Sequence, residues 1–325
     1  MTQVVKQPVP VTPEAPRLGN PTIRRFKRDW QLHLLALIPV AWILIFAYKP
    51  MYGAQIAFRY YTIKGGIWNS EWVGLRWFMR FLEMPQFWEI VGNTFFLSLY
   101  SMCINFPFPI FMALLLNVMR NQFFKKTVQT ISYIPHFIST VVMVAILNQV
   151  VNPITGLYGY FYELFGGIGV PRDIRGIPEA FPHLYVWSAV WQNMGWNTII
   201  YLASLSSVSN ELHEAAEIDG ASRWKRVIHV DLPAILPTVA IMLIMRMGNL
   251  LSVGFEKTFL MQNSLNLKTS EVISTYVYKK GLGGTSADQA YGTAVDLLNN
   301  IINCAMLLLV NWISKKASQD EVSLF

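Results

Sequence analysis

Charge is scarce in this chain. Only 14% of its 325 residues are Asp, Glu, Lys or Arg, against 53% that are hydrophobic, and the mean hydropathy is +0.36. A soluble domain carries about a quarter of its residues as charges to coat its surface. The deficit excludes an ordinary water-soluble globule and implies a bilayer as the main solvent. Cysteine is nearly missing as well. Cys103 and Cys304 both fall inside apolar stretches, and neither a disulfide framework nor a metal spacing can be built from them; both are expected as small buried side chains. Histidines are few and scattered, which argues against a metal cluster. There is no Walker A loop, so ATP is not expected to be hydrolysed here. The run His213, Glu214, Ala215, Ala216, Glu217 echoes HExxH, but a glutamate stands where the second zinc-ligating histidine belongs. An enzyme embedded in the membrane has thin support, and no catalytic, cofactor-binding or metal-ligating residue is assigned.

What the chain does have is six apolar segments long enough to span a bilayer, which takes roughly 17–25 residues. They are Trp30–Tyr48, Asn93–Met119, Thr127–Val150, Leu184–Ser204, Pro237–Met261 and Asp296–Ser314. The fold class expected is therefore an all-α integral membrane protein with six transmembrane helices, its permeation domain covering residues 30–314. Pro39, Pro107, Pro109 and Pro135 lie in or near spans, where neighbouring helices can satisfy the carbonyls that proline frees. Residues 1–29 are basic and, up to Pro16, proline-rich, and are expected to be disordered; they lack the short apolar core of a cleavable signal peptide. The net charge of +7 is gathered in clusters at the ends of apolar runs, which speaks for membrane orientation rather than for nucleic acid. Placing both termini inside puts Arg24, Arg25, Lys27 and Arg28, then Arg120 with Lys125 and Lys126, then Arg223, Lys225 and Arg226, and finally Lys315 and Lys316 of the tail 315–325, on the cytoplasmic side. Residues 49–92, 151–183 and 262–295 then face outward. Their tryptophans, Trp68, Trp72 and Trp77, are ordinary for a membrane interface.

The inside loop 205–236, between the fourth and fifth segments, is the most informative stretch. Asn210 is a good N-cap and Glu211 suits the positive end of a helix dipole. Helix formers run to Asp219, and Gly220 suits a left-handed stop. Ser222 can cap a second short helix over Arg223–His229, ended by Leu232 and Pro233, with Pro237 opening the next span. The expected shape is helix, glycine elbow, helix at the membrane face. Leu212, Ala215 and Ala216 fall on one side of the first helix, where small alanines would let another protein approach. Glu214 and Glu217 flank that side and could pair with arginines of a partner.

Glu214, Ala215 and Ala216, then Asp219, Gly220 and Ala221, then Leu232 and Pro233 with Pro237 stand at the spacing of the EAA loop, and in this the chain resembles the permease subunits of binding-protein-dependent ABC importers. The resemblance reaches over nearly all the chain after residue 25. Asn93 and Thr94, the run Ser132 to Phe137, Gly254 to Glu256, Ile273 to Tyr278, and Asn311 to Ser314 look like the polysaccharide-type branch, and within it like the larger permease of the alginate importer. The resemblance implies the maltose-type permease fold with both termini inside, in a bacterial cytoplasmic (inner) membrane. It implies that the loop is a coupling helix docked in a cleft of an ATPase subunit, and that ATP and Mg²⁺ bind on an ATPase dimer, not on this chain. It further implies a second, related permease sharing the pore, an extracytoplasmic solute-binding protein that selects cargo, and alternating access.

Polar side chains inside spans are costly and should face the interior or a water-filled path. Arg246, Asn249, Glu256 and Lys257 follow one stripe of the fifth segment; Gln192, Asn193, Trp196 and Asn197 share a face of the fourth; Asp296, Asn299, Asn300 and Asn303 recur at helical steps in the sixth. Amides, carboxylates and guanidinium can bond sugar hydroxyls, a tryptophan face can stack on a pyranose, and Arg246 could attract an acidic sugar. The competing assignment for each is interhelical packing or an internal ion pair, such as Arg246 with Glu256 or Asp296. Gly248 and Ser252, on the other side of the fifth segment, suit close helix packing. Two further readings stand beside an acidic cargo: a neutral oligosaccharide, or an ion-coupled secondary transporter using Asp296 and Glu256, which would leave the loop unexplained.

Overall fold

The computed structural model describes residues 28–283 and 286–317. The expected disorder of residues 1–29 therefore lies, all but its last two residues, outside the described residues, as do Arg24, Arg25, Lys27 and the end of the tail. The chain divides into two units, Met1–Ala54 and Gln55–Phe325. In the first, helix α1 (Trp30–Ile43) runs on through a π-turn, Leu44–Tyr48. It is apolar all round and none of its residues is buried, as suits a helix solvated by lipid.

The second unit opens with a short antiparallel ribbon, β1 (Arg59–Tyr60) and β2 (Glu71–Trp72), with Arg59 opposite Trp72. Helix α2 (Arg76–Leu82) follows. The second predicted span is a pair, α3 (Phe87–Asn105) and α4 (Pro107–Val118); Pro107 opens α4, where its missing N–H is no loss. The third is broken. Helix α5 (Gln122–Tyr133) and its 3₁₀ extension to Phe137 meet α6 (Thr140–Val150) at a bend of 106°. Pro135 removes a backbone donor just before the bend, and the hydroxyl of Ser139 accepts from the Val142 N–H to restart the helix.

Outer helix α7 (Leu157–Leu164) leads to α8 (Ala180–Ser206), the fourth span and the centre of the unit. It packs on α3, α4 and α5. Close approach to α5 depends on Gly195, where any Cβ would overlap the backbone of Ser132. The loop carries α9 (Asn210–Ile218) and α10 (Arg223–Arg226). The expected stop at Leu232 and Pro233 does not occur: α10 winds through a π-turn, Val227–Asp231, straight into α11 (Leu232–Met247). Pro233 falls in the first turn of α11, where proline is tolerated. The fifth span is then interrupted. Residues 248–254 leave the helix and α12 (Phe255–Met261) resumes it. Helix α13 (Ile273–Gly283), inside the stretch expected as an outer loop, packs on the final helix α14 (Ser286–Ala317).

Among the described residues, four helical stretches are long and apolar enough to cross a membrane, and the bent pair α5–α6 would make a fifth. Helix α8, at 27 residues, is long enough for a sixth but more polar. Buried clusters hold the elements together: Leu97, Val144, Phe181 and Val186 join α3, α6 and α8, while Ala113, Tyr201 and Ile235 join α4, α8 and α11. Phe96, Leu308 and Trp312 are among many large apolar residues facing outward, the pattern of a lipid-facing girdle. Cys103 and Cys304, expected as buried, are both exposed.

Candidate functional site

Two features stand out: a polar cavity at the broken middle of span five, and the elbow of the loop.

The cavity encloses about 400 Å³. Its walls are α3, α8 and residues 246–257, and its lining includes Gln192, Asn193, Asn197, Arg246 and Asn249. Trp196 instead lines an adjoining space of about 570 Å³ that shares Asn197 and Arg246. One face of its indole is covered by the ring of His136, stacked at 4.6 Å, so that face is not open to a sugar. Gln192 and Asn193 have structural partners as well. Gln192 donates to the carbonyl of Ile138 at 3.0 Å, a polar partner for the backbone at the break in span three, and the Asn193 side chain meets the His136 ring at 3.0 Å.

The continuous stripe expected on span five is not there, because the helix unwinds between Met247 and Phe255. Arg246 faces the cavity from the helix before the break, Asn249 from within the break, and Lys257 from the helix after it. Glu256 points away and is exposed. Neither Glu256 nor Asp296 lies within ion-pair distance of Arg246 among the described residues, so the internal pairs considered from sequence do not form. Asp296 and Asn300 are exposed and bond each other at 3.2 Å, apart from the cavity. Asn303 turns to the backbone of the break: it accepts from the Leu251 N–H and donates to Ser252. Gly248 gives the close approach expected of it, against Leu307 of α14.

Lys257 is the residue that sequence reasoning undervalued. It is only 8% exposed, its Nζ donates to the Tyr185 carbonyl at 2.7 Å, and it lies 4.6 Å over the Tyr185 ring. It has no carboxylate partner among the described residues. The buried hydroxyl of Ser98, on the same wall, has no hydrogen-bond partner among the described residues. A lysine in an apolar run was the available signal; reading it on one stripe with Glu256 hid it.

In the loop, the left-handed stop is present, with Gly220 at φ +73°. Ser222 caps α10, but Ser209, not Asn210, caps α9, accepting from the Glu211 N–H at 3.2 Å. The outward face of α9 is Glu211, Glu214, Ala215 and Ile218, the last 87% exposed. Of the face expected from sequence, Leu212 and Ala215 are exposed and Ala216 is half-buried. Glu217 is engaged within the chain, its carboxylate 3.1 Å from Arg226, which closes the elbow. Asp219 and Ala221 flank Gly220, Asp219 being exposed, and Leu232 and Pro233 open α11.

Residues 105–318 match the family described as "Binding-protein-dependent transport system inner membrane component", and the chain belongs to that family. It is 37% identical over 318 residues, 96% of its own length and 98% of the relative's, to protein LplB of Bacillus subtilis (strain 168). It is 38% identical, over 90% of this chain and 89% of the relative, to YteP of the same organism, a polygalacturonan/rhamnogalacturonan transport system permease protein. Among solved structures it matches a chain of a bacterial ABC transporter involved in the import of the acidic polysaccharide alginate, with a TM-score of 0.82 and 34% identity over 91% of this chain and 99% of that one. The same likeness holds to the alginate transporter in complex with an alginate pentasaccharide-bound periplasmic protein. The chain is thus a multi-pass, non-enzymatic permease subunit of an ABC importer in the cytoplasmic membrane.

Proposed function

We propose that the cargo is an acidic oligosaccharide, a uronate polymer fragment of the alginate or polygalacturonan kind. The observation that carries this reading is the cavity holding Arg246 and Lys257 with no carboxylate among the described residues to neutralise either. Arg246 is exposed, but Lys257 is buried, and an unpaired buried cation is costly. It is tolerated where an anion visits, and a guanidinium or ammonium bonds a carboxylate more strongly than a neutral hydroxyl. The uncommitted Ser98 hydroxyl and the amides of Asn197 and Asn249 would serve the sugar hydroxyls. The relatives named for acidic polymers support the same choice of cargo.

In this reading α9 docks on an ATPase subunit through Glu214, Ala215 and Ile218, and ATP with Mg²⁺ is bound on that ATPase dimer. A second, related permease closes the open side of the path, and an extracytoplasmic binding protein delivers the cargo. The test uses the complete transporter in proteoliposomes. Oligogalacturonate and oligomannuronate of two to five units are compared with neutral oligosaccharides of equal length for stimulation of ATP hydrolysis and for uptake. Acidic sugars should stimulate, and Lys257→Met should cut their uptake about tenfold or more, a charge-assisted bond being worth roughly 1.5–3 kcal/mol. Equal stimulation by neutral sugars would overturn the acidic cargo.

A further inference from the structure

A buried carboxylate ties the first helix of the loop to the bundle. Oδ1 of Asp231 accepts a hydrogen bond from the amide of Asn117 at 3.1 Å, and Nε2 of His213 lies 3.3 Å from the same oxygen. The Asp231 side chain is only 3% exposed. Each of the three residues belongs to a different element: His213 to α9, Asn117 to the last turn of α4, and Asp231 to the π-turn that heads α11. π-turns inside helices recur at functional sites, and a carboxylate is buried at a cost that only good partners offset. The other inward tie of α9, from Glu217 to Arg226, leads to the second arm of the same elbow. The tie at Asp231 leads to α4 and α11, and both helices wall the space next to the cavity through Pro109, Met242 and Arg246.

We infer that Asp231 is the pin by which a push on α9 moves α4 and α11 together. It is a positioning residue of the transport cycle that touches neither cargo nor nucleotide. The inference rests on reading α9 as the coupling helix. One carboxylate oxygen gripped from two helices makes the three elements a single body, as a rigid-body transmission requires.

The experiment needs no cargo. In the complete transporter, carrying Cys103→Ser, Cys304→Ser and Asn249→Cys, the rate at which a water-soluble maleimide modifies the cavity cysteine is measured with and without ATP plus vanadate. ATP trapping should change that rate about tenfold, within the range typical of coupling between sites. Asp231→Ala should abolish the change while the ATPase stays bound. Asp231→Asn, which keeps the accepting oxygen, should restore most of it. His213→Ala combined with Asp231→Ala should be no worse than Asp231→Ala alone. If Asp231→Ala does not assemble, Asn117→Ala and His213→Ala, each removing one partner, are read the same way. An undiminished ATP response in the single variants, or losses that simply add in the double variant, would overturn the pin. Replacing residues 211–218 by a Gly-Ser linker separates the two readings. If the ATPase still binds, the coupling reading fails and the pin with it. If binding is lost but Asp231→Ala responds normally, only the pin fails.

Discussion

Asn303 accepts a hydrogen bond from the backbone N–H of Leu251 at 2.9 Å, and its amide donates to the Ser252 hydroxyl at 3.2 Å. One side chain of α14 thereby satisfies the peptide chain where span five has no helix to do so. Within lipid, irregular backbone persists only where protein or a wet cavity meets its polar groups. Asn303→Leu should strand that donor and cost about 1–3 kcal/mol, read as a lowered midpoint in thermal unfolding of the purified protein. A midpoint equal to the parent's would show that the break needs no such support.

Gly195 should be the least replaceable glycine of the bundle. A Cβ there overlaps the carbonyl of Ser132, and backbone cannot swing aside as a side-chain tip can. Gly195→Ala should force α5 and α8 apart at a cost of about 1–3 kcal/mol and lower the yield of folded protein. Gly92→Ala, on α3 with open space around its Cβ, is the matched control and should be silent. Comparable losses in both would point to helix propensity instead of contact.

The elbow can be disabled from two directions. Gly220→Val puts a branched side chain at φ +73°, where an L-residue pays roughly 1–2 kcal/mol, and should misdirect α9. Glu214→Lys leaves the shape intact and reverses an exposed charge. Both should lower ATPase retention in co-purification and abolish transport, whereas Glu217→Ala, whose carboxylate is already held by Arg226, should lose less. Retention unaffected by Glu214→Lys would remove that residue from the docking face.

The outer loop should loosen in acid. Arg175 forks onto Asp173 with contacts of 2.8 and 2.6 Å, and the bond from Arg175 holds the Asp173 carboxyl below its usual 3.8. A carboxylate with a depressed pKa stabilises the fold above its unfolded value and loses that contribution as pH falls through the folded one. The Arg175 carbonyl also receives Asn263 and Asn266, so the fork anchors two outer segments. Corrected for the intrinsic pH dependence of amide exchange, protection at Ile174–Gly176 should therefore be steady above pH 4 and fall below it, and Asp173→Asn should show the lower protection at neutral pH. A profile identical in parent and variant would dismiss the fork as an anchor.

The spans were legible because apolar runs are long and lipid permits little else than a helix. The elbow was legible because Gly220 and Ser222 act locally. What escaped were features that depend on distant partners. The bend at Ile138 needs Gln192 of α8 to be tolerable, and the interruption at 248–254 needs Asn303, so neither is written in its own segment. Lys257 and Glu256 are neighbours in sequence and opposites in placement, a difference set by the restart of the helix at Phe255. Asp231 reads as an ordinary loop acid until His213 and Asn117 are seen beside it.

The gap at residues 248–254 makes span five a jointed rod. The helix runs without a gap from Arg223 through Met247, missing only the backbone donors of Pro233 and Pro237, so the lower arm swings whole from the elbow to Arg246. The joint above it lacks the i→i−4 ladder that resists flexing, so α12, seated against Tyr185 through Lys257, is not obliged to follow. Arg246 and Lys257 ride on opposite arms. Motion at the hinge therefore changes the spacing between the two cations, and the polar cavity between them can be widened or narrowed from the far end of the molecule.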